Sequence, residues 1–421
     1  MTRHFNYLCL LLLLSICFPL FPQQTITIED CQNWTIAQSS ANVQKELNTQ
    51  LLKVKLNDAS SHLYPVLELN GGMSYQSDVT QLPFSIPGVD TISKNRANIS
   101  LDFSQVVFDG AKFFYGRKYE RLLNEAEIYK LDISINKLKE QVISIYLNLL
   151  IIEKQINILS SVETNVNEQI NRLKIMLKEG VVYGNAVDQL ELEALKIEQQ
   201  KGELKATKES LISSLSILTG HDLSQASFVV PVFPEIEENT NSSRFEYQIF
   251  ENQQKTLEYQ RKLHFSNSLP KLSIFATVGY GRPTYDLFNN NFDFYYMMGV
   301  RLKVPLIDWA KTTGVGNIIS LQKAIVRSKE ADFEKINKIE IQEKLNEIKK
   351  IENLLVLDQK ITSKYKDITQ SFSTQLLNGT ITAYDFIKHQ NDEIQSLINQ
   401  EVHTFQLLKA KYELLALKGK L

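Results

Sequence analysis

The six histidines His4, His62, His221, His264, His389 and His403 are the side chains best suited to hold a metal or move a proton, and they are scattered along the 421 residues. No HExxH pattern occurs and no cysteine stands near them in a ligand spacing, so the sequence supports no protein-built metal site. Gly279-Tyr280-Gly281 and Gly314-Val315-Gly316 lack the further glycine of a nucleotide-binding loop. With no convergent acid, base or nucleophile, the expectation is a protein that is not an enzyme and uses no cofactor. The aspartates with a definable role stand at turns. Asp109 in "VFDGAK" and Asp308 in "LIDWAK" each precede a helix, where a carboxylate accepts the first orphan backbone N–H groups. Two further turns run from Gly180 through Val181, Val182 and Asn185 to Asp188, and from Gly379 through Thr380, Ile381, Thr382 and Tyr384 to Asp385. Each has a glycine suited to ending a helix, then Asn185 or Thr382 followed three residues on by aspartate, a capping-box-like restart.

The elements that must carry these turns come in duplicate. Asp109 and Asp308 are 199 positions apart, as are Gly180 and Gly379, while Pro65 and Pro270 are 205 apart; the difference falls in the longer first loop, "QLPFSIPGVD". Residues 24–223 form the first repeat, 224–243 a linker and 244–421 the second repeat. Each repeat has two alternating strands, 64–80 with 96–108 and 269–283 with 293–306. Leu67, Leu69, Met73 and Tyr75 share one face against Glu68, Asn70 and Ser74, and Ile99, Leu101 and Phe103 oppose Asn98, Ser100 and Asp102. The second repeat repeats this with Ile274, Val278, Tyr280, Tyr296, Met298, Val300 and Leu302, Phe275 being an exception.

Long helices separate the strand pairs. Leu131, Ile135, Leu138, Val142, Ile145, Leu149, Ile152, Ile156 and Leu159 follow the four-three spacing of a coiled-coil seam. Val187 to Leu218 return in the same register, interrupted by Lys201 and Lys208. From Lys112 to Gly180 a continuous helix would run about 100 Å, and no proline interrupts 88–230 or 306–421. The returning segment is half that length, so it is expected to stack end to end with a helix from Glu29 to about His62.

Charge is balanced, 46 Lys and Arg against 48 Asp and Glu, which gives nucleic acid no concentrated positive surface. Residues 1–23 read as a secretory signal, a basic flank before "YLCLLLLLSICFPLF", too short for a spanning helix. Cys17 in "LSIC" suggests a lipoprotein box, against which the bulky Ile16 argues; after processing only Cys31 remains, so no internal disulfide can form.

Isolated two-stranded hairpins are not stable in water, and a soluble sandwich would join its strands by loops within one domain. A membrane barrel accounts for them better: an apolar face to lipid, a polar face to water, and closure to satisfy every backbone group. Four strands are too few to close, so several copies must pool them.

The succession "YPVLELNGGMSY", "SLDFSQVVFDGAK", the heptad helix and "LKEGVVYGNAVDQLELEALKIEQQ", then "VPLIDWAKTTG" and "LLNGTITAYDFIKHQNDEIQSLINQ", resembles the TolC-type outer-membrane efflux protein family over the mature chain. The resemblance implies a mainly α fold with β: a homotrimer whose three times four strands close one 12-stranded transmembrane barrel above a long α-helical coiled-coil barrel. It implies an exit duct in the outer membrane of a Gram-negative bacterium, reaching into the periplasm and opened by a periplasmic adaptor that an inner-membrane transporter drives. The function read from it is efflux of small molecules, with type I protein secretion as the alternative and a periplasmic adaptor or scaffold as the less favoured one.

By that resemblance Gly180, Val181, Val182, Gly379, Thr380 and Ile381 are hairpin tips that contact the adaptor, and Asp385, Tyr384, Lys388 and Asp188 belong to the pore constriction. Asp385 is either a ring of negative charge favouring cations or a helix-dipole partner, and Asp188 reads better as a cap. Lys388 stands where some relatives carry a second carboxylate, and Ile381 where some carry an arginine that locks the mouth.

Overall fold

The computed structural model describes residues 25–80, 92–234, 242–286, 290–306 and 309–421, without the side chains of 309–312. The signal segment with Cys17, the "QLPFSIPGVD" loop and the cap expected at Asp308 lie outside the described residues. In chain order the elements are β1 (Thr25–Ile26), α1 (Ile28–Gln38), α2 (Ser40–Ser61), β2 (Val66–Tyr75), β3 (Asn95–Phe108), α3 (Lys112–Lys178), α4 (Gly184–Thr219), β4 (Ser227–Phe228), α5 (Phe245–Phe265), β5 (Lys271–Arg282), β6 (Asp293–Lys303), α6 (Trp309–Leu377) and α7 (Ala383–Leu417). From α2 to α4 and again from α5 to α7 the order is helix, strand, strand, long helix, shorter helix. The long helices α3 and α6 hold 67 and 69 residues.

Two boundaries correct the sequence reading. The helix expected from Glu29 to about His62 is two helices, because Ser39 leaves the helical region at ψ 132° and its hydroxyl accepts the Ala41 N–H at 3.1 Å. A side-chain bond to nearby backbone competes with helix continuation, so Ser39 ends α1 and starts α2. Three of the four long strands are also shorter than expected, while β3 begins one residue earlier, at Asn95. β2 and β5 begin only after Pro65 and Pro270, which have no N–H to give a ladder, and β6 ends before Pro305.

The chain divides into two compact units, each drawing on both repeats: Val43–Leu131 with Phe245–Glu334, and the residues up to Asn42 with Asp132–Arg244 and Lys335–Leu421. In the first, the four long strands form one antiparallel sheet in the order β2-β3-β5-β6, so the two hairpins join through β3 and β5. The register sets apolar residues opposite one another: Leu69 on Leu101, Leu101 on Val278 and Val278 on Tyr296. A one-residue slip would turn each of these to the other face. The helices of this unit follow the same order. Lys55 pairs with Glu120 at 3.1 Å between α2 and α3, Asn252 Nδ2 donates to Glu125 at 3.3 Å between α5 and α3, and Lys323 Nζ donates to Glu258 at 2.5 Å between α6 and α5. Strand order and helix order match because each strand continues into the helix beside it.

The second unit is built on α3, α4, α6 and α7. Val142, Ile143, Tyr146, Leu147, Leu149 and Leu150 of α3 are buried in one cluster with Ile26, Ile28, Cys31, Leu215 and Phe228. That is a broader stripe than the expected seam, which had no place for Ile143, Tyr146 or Leu147. The linker expected over 224–243 contains a strand: β4 lies parallel to β1, with Ile26 paired to Phe228. The buried Tyr146 hydroxyl lies 2.8 Å from Ile26 O and 2.7 Å from Val229 O, sharing its one hydrogen between them. Burial pushes the Tyr146 phenol up, and burial pushes the Cys31 thiol up to about 12, so Cys31 stays a packed thiol.

Candidate functional site

The two turns after α3 and α6 are built alike. Gly180 and Gly379 adopt φ of 73° and 68°, a left-handed conformation open to glycine at low cost. The Gly180 N–H donates to Leu177 O and the Val181 N–H to Met176 O; Gly379 and Thr380 donate likewise to Leu376 and Gln375. This is the Schellman pairing, which satisfies carbonyls that a helix end leaves orphaned.

The restarts differ. At α7 the Thr382 hydroxyl accepts the Asp385 N–H at 3.2 Å, and Asp385 Oδ2 accepts the Thr382 N–H at 3.2 Å and the Thr382 hydroxyl at 2.6 Å. These bonds from Thr382 hold the Asp385 carboxyl below the usual carboxylate value, with His389 and Lys388 adding to the effect. At α4 the cap residue is Tyr183, which offers no side-chain bond, and helix begins at Gly184. Asn185 and Asp188 lie inside the first turns of α4, so the capping box expected there does not form. Starting the helix two residues earlier removes the free N–H groups that Asn185 would have accepted.

Below the turns, Leu173, Val187, Leu190, Leu376, Ala383 and Phe386 form one buried cluster, with Val182 and Ile381 partly buried against it. Val182 and Ile381, expected as tip contacts, therefore pack inward. Val181, Tyr183 and Tyr384 are exposed, Tyr183 by 86%, and Gly180, Gly379, Thr380, Asp188 and Lys388 are exposed as well. The two lysines that interrupt the α4 seam face acids on α3: Lys208 Nζ donates to Glu153 at 3.2 Å and Lys201 Nζ to Glu163, while Lys174 pairs with Glu191 at 2.6 Å. A cavity of about 640 Å³ lies between α3, α6 and α7, where Gln169 Nε2 donates to Ser373 Oγ at 2.8 Å. The Oε1 atoms of Gln169 and Gln390 are buried without a partner. These three residues were not singled out from the sequence. The available signal was Gln390, a polar residue set four from both Phe386 and Ile394 on a buried stripe.

At the first strand–helix junction Asp109 Oδ2 accepts the Phe113 N–H at 2.8 Å and a bond from His62 Nε2 at 2.8 Å, while Gly110 and Ala111 turn the chain at positive φ. On the sheet, one face presents Leu67, Leu69, Met73, Tyr75, Leu101, Val278, Tyr296, Met298, Val300 and Leu302, all exposed, Met73 by 89%. The other face carries Asp102, which accepts from Asn70 at 2.7 Å, Ser100 at 3.1 Å and Thr277 at 2.6 Å. The strands β2 and β6 are its two edges. Among the described residues no group of three His, Cys, Asp or Glu could hold a metal ion.

No family model matches the chain, and no curated protein does. Solved structures do. The CmeC outer membrane channel of Campylobacter jejuni is 16% identical with a TM-score of 0.68 over 93% of this chain and 85% of that one. CusC, described for folding and transmembrane channel formation, is 12% identical with a TM-score of 0.73 over 93% and 91%. The open state of the MtrE outer membrane channel of Neisseria gonorrhoeae is 12% identical with a TM-score of 0.66 over 93% and 88%. The fold is that of these channels.

Proposed function

We propose that this chain, which has the fold of outer-membrane channels, is one third of a trimeric exit duct in the outer membrane of a Gram-negative bacterium. The observation that carries the reading is the four-stranded sheet with an exposed apolar face and two open edges. In hydrocarbon an unpaired strand edge leaves backbone N–H and C=O groups unsatisfied, at several kcal/mol each. Pairing β6 of one copy with β2 of the next satisfies both edges in a ring, and three copies give twelve strands, within the range of membrane barrels. The helix layer has matching edges: α2 exposes Val43, Leu47, Leu51 and Val54, and α6 exposes Ile318, Leu321 and Ile325. The same rotation covers both.

The duct performs no catalysis. Solutes reach it from a periplasmic adaptor and an inner-membrane transporter, and the exposed apolar tip residues Val181, Tyr183 and Tyr384 are the surface on which an adaptor docks. Asp385 closes the cap of α7 with Oδ2, which leaves Oδ1 to face the pore, with Lys388 one turn on weakening its preference for cations. Small molecules are the proposed cargo. Co-purification with a proton-driven transporter would support it, and an ATP-driven partner with a peptide substrate would replace it by protein secretion.

Native mass spectrometry of the detergent-extracted protein should show three copies, and planar bilayers should show discrete conductance steps. A monomer that remains in solution without detergent would overturn the proposal.

A further inference from the structure

We infer that the lumen of this duct carries a cationic belt at the helix-side end of the barrel, a binding site for anionic solutes. The inference rests on the proposed trimer and names a chemistry for its interior. Without a bulge between β5 and β6, Lys271, Ser273, Phe275 and Thr277 of β5 share a face with Lys303, Arg301, Gly299 and Met297 of β6. That face is the polar one, because Thr277 on it bonds to Asp102, so it is the face turned to water when the apolar face meets lipid.

The charges on it are layered. Lys271 stands directly opposite Lys303 at the end nearest the helices. Like charges directly opposite destabilise a strand pair, so the pairing is a local cost that helix or strand propensity does not explain. Arg301, on the next rung, lies over the Phe275 ring with its guanidinium carbon 4.9 Å from the centroid, a contact that holds the cation close to the wall. The next acids on this face are Glu68 and Asp102, paired with each other two rungs beyond Arg301, and Asp102 is already engaged by Asn70, Ser100 and Thr277. Asp109, at the same end, is engaged by His62 and the Phe113 N–H. Among the described residues that leaves Glu68 as the one acid on this face without a side-chain bond, and a single carboxylate per chain leaves three cations with a net positive charge.

Three cations per chain become nine in a threefold ring. Rings of one sign in a low-dielectric wall focus potential and concentrate the opposite ion. An anionic group in the lumen of the barrel therefore gains a favourable site at the belt.

The test uses the full chain in planar bilayers with ferrocyanide, a tetravalent anion, as the probe. Wild type should be blocked, and Lys271→Gln/Arg301→Gln/Lys303→Gln should need about tenfold more ferrocyanide and shift its reversal potential toward cations. The charge-preserving Lys271→Arg/Arg301→Lys/Lys303→Arg should behave as wild type. Block should weaken at 1 M salt, where the Debye length falls to about 3 Å. Should the triple Gln variant not assemble, Lys303→Gln alone should show part of the shift. Equal block and equal reversal potential in conducting wild-type and Gln channels overturn the belt and leave the duct standing; a wild-type chain that conducts nothing overturns both.

Discussion

Asp385 commits one carboxylate oxygen to Thr382 and so ties the start of α7 to a single side-chain pair. Those bonds favour the charged carboxylate and lower its folded-state value. The cap therefore supports α7 at every pH above the ordinary carboxylate value of about 3.9, and its contribution is lost as pH falls through the lower folded value. Hydrogen exchange at the Thr382 and Asp385 amides should be flat from pH 8 to 6 in protection and should lose protection only in strong acid. Thr382→Ala should cost about 1 kcal/mol at neutral pH, read from the same amides. Equal protection in wild type and variant would show that the tip packing of Phe386 and Leu376 holds α7 without the box. Cap chemistry was readable here because it is local, three residues apart in sequence. Its failure at Asn185 and Asp188 shows the limit: the same spacing was present, and helix simply started at Gly184 instead.

The hairpin of α3 and α4 holds its register by contacts that a seam alone does not define. Leucines repeat every three or four residues, so a slip of one heptad preserves apolar contact, whereas Glu153, Glu163 and Lys174 meet Lys208, Lys201 and Glu191 in only one alignment. Charged pairs beside a seam set alignment in this way. Lys201 and Lys208 interrupt the apolar pattern, and their reason became visible only with the partner helix in place. Lys201→Glu sets two carboxylates together where the side chains are mostly covered, at 15% and 27% exposure for Lys201 and Glu163. Stability in urea should fall by about 1–2 kcal/mol, and adding Glu163→Lys should restore most of it. A double variant no better than the single one would assign the loss to helix packing and not to the pair.

At the scale of the whole molecule the decisive question is which face of the sheet meets lipid. Leu101→Arg places a cation on the apolar face and should cost about 2–4 kcal/mol near the middle of a bilayer, reducing the trimer recovered in outer-membrane fractions. Ser74→Lys, on the opposite face, should assemble as wild type. Equal recovery of both variants would mean that the sheet does not face lipid as proposed. The alternation along each strand, the glycines that end α3 and α6 and the Thr382 box were all legible in the sequence, because each rests on dihedral preference or on a spacing of a few residues. The joining of β3 to β5, the bond from Thr277 to Asp102 across 175 positions, the pairing of β1 with β4 under Tyr146 and the acids facing Lys201 and Lys208 were decided by the tertiary structure. Such pairings depend on which distant segments give the lowest free energy when every backbone group and apolar face is satisfied at once, and no local pattern carries that sum.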